Sequence, residues 1–192
     1  RIAIVGAGAA GIAIARLLVR YGVGDVVVVD RRGIISDLRT DLSEVKQSLT
    51  GITNREARTG GVLEALTGAD AVVGVAGPGA FRVEHVRMMA QHHVVFALAN
   101  PEPELSPEDA LAAGAAVVAT GRSDFPNQIN NALVFPGLFR GLLEHKVRRI
   151  TINMKLAAAQ KLASLTSRPT ARKIISTLFD RRVVKAVASA VQ

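Results

Sequence analysis

Six residues constrain this chain more than any others. Gly6-Ala7-Gly8-Ala9-Ala10-Gly11 follows the apolar run Ile2–Val5 without a break and opens a stretch of helical character from Ala9 to Tyr21. A strand passes this abruptly into a helix only where the backbone escapes the limits that a Cβ imposes. In such a strand–turn–helix Gly6 permits the tight turn, Gly8 lets the backbone approach a pyrophosphate, and Gly11 lets the helix lie close on the strand. The phosphates then meet the unpaired N–H groups of Ala9, Ala10 and Gly11 at the positive end of the helix. The motif alone is a weak signal. Its place, directly after an apolar run and at the start of a helix, makes it a prediction of dinucleotide binding.

The remaining pattern agrees. Ile2–Val5, Val26–Val29, Ala71–Val75, Val94–Leu98 and Ala116–Ala119 are rich in Val and Ala with no polar alternation, as parallel strands buried on both faces require. Between them the stretches 9–21, 43–49, 61–66, 83–90 and 107–112 read as helices. Ser106-Pro107 marks one start, with a capping hydroxyl followed by proline at the first helical position. This alternation predicts an α/β fold, a doubly wound Rossmann-type parallel sheet. After Asp124 the strands stop. A helix over 127–143 interrupted at Pro136-Gly137, a second over 153–165, a connector over 168–177 and a last amphipathic helix over 183–191 are expected as C-terminal helices.

Asp30 ends the second apolar run, nineteen residues after Gly11, where an acidic side chain takes the adenosine ribose hydroxyls in this motif. A turn before Gly33 is the plainer use for it. Arg31 and Arg32 follow. A guanidinium there suits a 2′-phosphate, whereas the Asp30 carboxylate repels one, so NAD is favoured with NADP as the alternative. A second glycine-rich turn, Ala76-Gly77-Pro78-Gly79, leaves the run at 71–75 and is expected to pass close to the dinucleotide. Asn100, at the end of the run 94–98, and Asn130 and Asn131, past the run 116–119, donate and accept hydrogen bonds and suit a ligand with carboxylate, hydroxyl and carboxamide groups. Capping and turn formation are their alternative uses, and for Asn127 the favoured one.

Absences narrow the chemistry. There is no Cys, which removes disulfides, thiolate metal sites and cysteine nucleophiles. Oxidation of an alcohol needs a base, yet Tyr21 ends the first helix at the wrong end for a crevice, and His85, His92, His93 and His145 fall at helix surfaces or a helix–strand junction. Glu102 and Glu104, in a proline-rich loop, make no convincing metal site. The net charge of +8 is uneven: residues 1–145 hold 13 Lys+Arg against 15 Asp+Glu, and residues 146–192 hold 11 against Asp180 alone. We therefore divide the chain into a near-neutral dinucleotide-binding domain, 1–145, and a basic helical extension, 146–192, packed on it. Aromatics are 4%, without the interleaving of aromatic and basic residues that base stacking uses, so a nucleic-acid partner is not expected. No apolar run reaches membrane-spanning length, and a cytoplasmic protein without a membrane partner is expected. The chain starts without Met inside a predicted strand, and reads as part of something longer.

GAGAAGIAIARLL (6–18), GADAVVGVAGPGA (68–80), FALANPEPE (96–104) and ATGRSDFPNQINNALVFPGLFRG (119–141) together resemble the NAD-binding, C-terminal domain of bacterial malic enzymes, the decarboxylating malate dehydrogenases. The resemblance runs the length of the chain; around the FDRRVV segment (179–184) the family favours prolines that this chain lacks. It implies oxidative decarboxylation of L-malate to pyruvate and CO2, with NAD or NADP as hydride acceptor and Mg or Mn as metal, in a homo-oligomer. It implies that Asn100 and Asn131 contact malate near the nicotinamide, and that Gly8, Asp30 and the turn 76–79 contact the dinucleotide. In that family the catalytic tyrosine and lysine and the acidic metal ligands lie upstream of the glycine-rich loop, in an N-terminal domain, so no catalytic residue and no metal ligand is expected in this chain. A stand-alone NAD-binding module or non-catalytic remnant is the alternative.

Overall fold

The structure, a computed structural model, describes residues 1–191, and valine-rich runs that face a helix layer on each side form the centre of its first compact unit. The strands are β1 (Ile2–Val5), β2 (Val26–Asp30), β3 (Gly33–Ile34), β4 (Ala71–Gly74), β5 (Val94–Ala97) and β6 (Val117–Thr120), and they form one sheet in the order β3-β2-β1-β4-β5-β6. β1 lies between β2 and β4, with Ile2 opposite both Val26 and Ala71. Alternate residues along each strand enter opposite cores. Ala3, Val5, Val27, Val29 and Val72 join one cluster with Leu66, Val86 and Ala110, while Ile4, Val26, Val28 and Val73 join another with Ala15 and Leu49. Both faces are dry, which is why the runs show no polar alternation.

The helices of this region are α1 (Ala9–Tyr21), α2 (Glu44–Thr50), α3 (Val62–Leu66), α4 (Val83–Arg87) and α5 (Pro107–Ala112). Ser106 caps α5 as its sequence predicts, its hydroxyl accepting the Asp109 N–H at 3.0 Å. The predicted doubly wound Rossmann-type sheet is present, with one difference. β3 is a two-residue edge strand antiparallel to β2, Gly33 pairing with Asp30, and it is too short to leave a periodic signal.

The chain divides into two compact units, Arg1–Gly121 and Arg122–Gln192. The second is helical: a 3-10 turn (Asn131–Leu133) leads into α6 (Phe135–Glu144), followed by α7 (Ile152–Ser164) and α8 (Arg182–Ala188). The helix expected over 127–143, broken at Pro136-Gly137, is corrected: Pro136 stands in the first turn of α6, where no N–H is needed, and so starts the helix instead of interrupting it. Gly137 and Gly141 let the α6 backbone lie against α8. A Cβ on Gly137 would stand 2.7 Å from the Val184 carbonyl oxygen, and one on Gly141 would stand 2.6 Å from that of Ala188. Val183, Val187 and Val191 complete this core with Leu133, Leu138 and Leu162. The charge boundary at 145/146 falls inside this unit, between α6 and α7. Among the described residues no helix is long and apolar enough to cross a membrane.

Candidate functional site

The strand order reverses direction at β1, whose successor in the chain, β2, lies on one side and β4 on the other. Ligands of open α/β sheets bind at the carboxyl ends of the strands flanking such a point. A cleft of about 690 Å³ opens there, within the first unit, with Gly6, Gly8, Asp30, Arg31, Lys46 and Ala76 among its lining residues.

The three motif glycines do different work. Gly6 has φ +117°, and a Cβ on it would stand 2.7 Å from the Val75 carbonyl oxygen. A Cβ on Gly11 would stand 1.8 Å from the Gly6 carbonyl oxygen, so the absence of a side chain is what lets α1 lie on the turn. Gly8 is the opposite case: its φ of −85° suits any residue, and a Cβ on it would meet nothing within 4 Å. Packing does not require glycine at Gly8; open space beside the cleft surrounds it. α1 starts there with no side-chain cap and no acidic residue in its first turn, so its N–H groups and positive dipole end stay available to an anion. Ala9 and Ala10 are exposed in that first turn, and Gly11 is buried. An uncapped helix start beside an open glycine fits a pyrophosphate.

At the end of β2, Asp30 is held from three directions. Its Oδ1 accepts the Arg39 Nη1 hydrogen at 2.8 Å and the Arg32 backbone N–H at 2.9 Å, and its Oδ2 bonds the Lys46 ammonium. Burial works against ionisation of Asp30, but the hydrogen bonds from Arg39 and Lys46 outweigh it and hold the carboxyl below the usual carboxylate range. Asp30 thus also serves the turn, closing the two-residue loop Arg31-Arg32 between β2 and β3. Arg39 continues into a network: its guanidinium bonds both oxygens of Asp41, at 2.9 and 2.6 Å, and Arg32 reaches Asp41 at 3.0 Å. Arg31 is exposed on the cleft wall.

Lys46, Arg39 and Asp41 carry no signature in the sequence. Lys46 stands on the short helix α2, sixteen residues after the carboxylate it bonds, and no local pattern pairs the two.

The turn 76–79 follows β4. Ala76 lines the cleft, and a Cβ on Gly77 or on Gly79 (φ +72°) would meet nothing within 4 Å, with Pro78 exposed between them. Asn100 is exposed in the loop after β5 and is not among the residues that line the cleft. Asn131 is exposed at the start of the 3-10 turn in the second unit, which Asn130 caps by accepting the Ala132 N–H at 2.9 Å. Asn127 ties its own unit together: its side chain donates to the Ala171 carbonyl at 2.8 Å and accepts the Ile174 N–H at 2.9 Å. His85 caps α4, its Nδ1 accepting the Arg82 N–H at 3.0 Å. Among the described residues no group of three or more His, Cys, Asp or Glu is placed to hold a metal ion.

Comparison with known proteins agrees with the geometry. The chain is 48% identical over 189 residues to a bifunctional malic/malolactic enzyme of Bacillus subtilis, covering 97% of this chain and 46% of that protein. It is 40% identical to an NADP-dependent malic enzyme of Halomonas elongata, covering 100% of this chain and 49% of the other. The crystal structure of an NAD-dependent malic enzyme from Thermotoga maritima superposes on the whole chain with a TM-score of 0.94 at 42% identity, and the match covers 51% of that structure. The chain thus spans about half the length of these relatives. The family model for the malic enzyme NAD-binding domain matches residues 1–192, and the chain belongs to that family.

Proposed function

We propose that this chain is the dinucleotide-binding half of a cytoplasmic malic enzyme that converts L-malate to pyruvate and CO2 with NAD as the preferred hydride acceptor. The observation that carries this reading is the start of α1, where an uncapped helix and an open Gly8 face a cleft that ends at Asp30. The backbone from Gly6 to Gly11 binds the pyrophosphate, and the Ala76–Gly79 turn forms the wall beside it. Asp30, fixed as a carboxylate by Arg39 and Lys46, accepts from the adenosine ribose hydroxyls. A 2′-phosphate would meet that carboxylate, which favours NAD; Lys46 and Arg31 on the same wall give NADP its weaker foothold.

When bound, the dinucleotide supplies the hydride acceptor. Asn100 and Asn131 orient malate through its carboxylate and hydroxyl groups. Because the chain spans about half the length of its relatives, Mg or Mn, the proton-transfer groups and the remaining contacts to malate are proposed to come from an N-terminal domain outside this chain. Side-by-side calorimetric titration with NAD and NADP tests the reading. Tighter NAD binding is the expected result. Tighter NADP binding transfers the 2′-phosphate to Lys46 or Arg31, and binding of neither refutes the assignment of the cleft.

A further inference from the structure

A buried carboxylate with no cation beside it is an expensive object, and this chain contains one. Glu104 is 2% exposed and, among the described residues, makes no ion pair within 4 Å. Stripped of water, a carboxylate persists where its oxygens find other donors. Those donors are backbone amides from two different loops. Oε1 accepts the Ala76 N–H at 2.9 Å, and Oε2 accepts the Ala99 N–H at 3.1 Å. The Glu104 carbonyl then accepts the Gly79 N–H at 2.9 Å. The turn 76–79 leaves β4 and the segment through Ala99 leaves β5, the next strand in the sheet. One residue therefore joins the carboxyl ends of two parallel strands beyond the point where their own ladder stops.

The sheet makes room for it. A Cβ on Gly74, the last residue of β4, would stand 2.5 Å from the Glu104 carboxyl carbon and 2.7 Å from Oε2. A strand position preceded by the buried valines Val72 and Val73 is left without a side chain, and the Glu104 carboxylate shares the space with the Phe81 ring, whose Cε1 would stand 2.7 Å from the same Cβ. The chemistry demands an acid of this length. Glutamine has one acceptor oxygen and would set its NH2 against the second amide. Aspartate is one methylene shorter and cannot span both amides from the same backbone.

We propose that Glu104 is a positioning residue of the dinucleotide site: it locks the Ala76–Gly79 wall of the cleft to the loop that carries Asn100, fixing both before any ligand arrives. Ala76 is itself a cleft residue, so a shift of its amide moves the cleft wall directly, and Ala99 is the residue next to Asn100, so a shift of its amide moves the loop assigned to malate. The proposal rests on the cleft being a dinucleotide site, and its test separates the two.

The full-length protein and its Glu104→Gln and Glu104→Asp variants are compared in NAD titrations, in thermal unfolding and in amide hydrogen exchange resolved at Ala76 and Ala99. The expected result is normal NAD binding by the unaltered protein, and about tenfold weaker binding by E104Q with cooperative unfolding retained. Exchange should quicken at Ala76 and Ala99 while β4 and β5 stay protected. In steady-state assays KM for the dinucleotide should rise about tenfold, a larger factor than the fall in kcat, a split that general destabilisation does not produce. E104D supplies the same comparison if E104Q does not fold. A folded variant that binds NAD within twofold of the unaltered protein, or exchange unchanged at both amides, overturns the positioning role. Failure of the unaltered protein to bind either dinucleotide instead overturns the reading of the cleft, and the clamp as a cofactor device with it.

Discussion

Alanine substituted at Gly8 and at Gly11 should have opposite consequences, although the two glycines belong to one motif and lie three residues apart. At Gly11 the new methyl would stand 1.8 Å from the Gly6 carbonyl oxygen, a backbone atom of a tight turn that has no rotamer with which to yield. Relief requires α1 to lift from β1. Overpacking of this kind costs about 1–3 kcal/mol, and more where the obstruction is backbone. Alanine's better helix propensity returns about 1 kcal/mol. A net loss of about 2 kcal/mol lowers the melting temperature of a domain of this size by about 4–8 °C. At Gly8 the methyl meets nothing within 4 Å and φ is −85°, so stability should stay within about 0.5 kcal/mol and the melting temperature within about 2 °C. The methyl then stands where the pyrophosphate approaches the backbone, and displacing that contact by about 1.4–2.7 kcal/mol weakens NAD binding by about 10- to 100-fold. Differential scanning calorimetry and isothermal titration of the two variants decide the matter. A Gly8→Ala protein that binds NAD normally, or a Gly11→Ala protein that melts with the unaltered one, would refute this division of labour.

Asp30→Ala should weaken NAD binding by about 10-fold or more, since a hydrogen bond to a charged acceptor contributes about 1.5–3 kcal/mol. The same change frees Lys46, while Arg39 keeps Asp41, so NADP binding should improve; parallel titrations showing an unchanged NAD/NADP ratio would contradict the placement of the ribose at Asp30. Gly141→Val sets a branched side chain against the Ala188 carbonyl and Val191 and should cost about 2 kcal/mol or more, seen as early loss of exchange protection in α6 and α8. Asp30 has its pKa held below the ordinary range by Arg39 and Lys46 against the opposing effect of burial, and Asp41 is likewise held down, chiefly by Arg39. Depressed carboxyl pKa values stabilise the fold fully above the unfolded-state value of about 4, and that contribution disappears as pH falls through the lower folded-state values. Urea midpoints measured from pH 5 down to pH 2 should therefore fall below about pH 4, less steeply for Asp30→Asn than for the unaltered protein.

The features legible in the sequence are those whose cause is local. Two dry faces force Val26–Val29 to be apolar at every position, and a tight strand-to-helix turn forces glycine at Gly6, so strands and loop could be read without the fold. Pro136 shows where local reading divides. The same ring breaks a helix from inside and starts one from its first turn, and which applies depends on where the helix begins, which the Asn130 cap and its 3-10 turn decide upstream. Lys46 and Glu104 were illegible for a stronger reason. A lysine on a short surface helix and a glutamate in a proline-rich loop both read as solvated charges, and nothing near either says otherwise. Lys46 meets Asp30 because the sheet brings the end of β2 to α2, and Glu104 is buried because a strand thirty residues earlier ends in a glycine. The missing side chain at Gly74 is as much a part of the Glu104 clamp as the carboxylate is. A reader of the sequence sees a charge at one place and a gap at another, and only the pairing of β4 with β5 puts them at the same point.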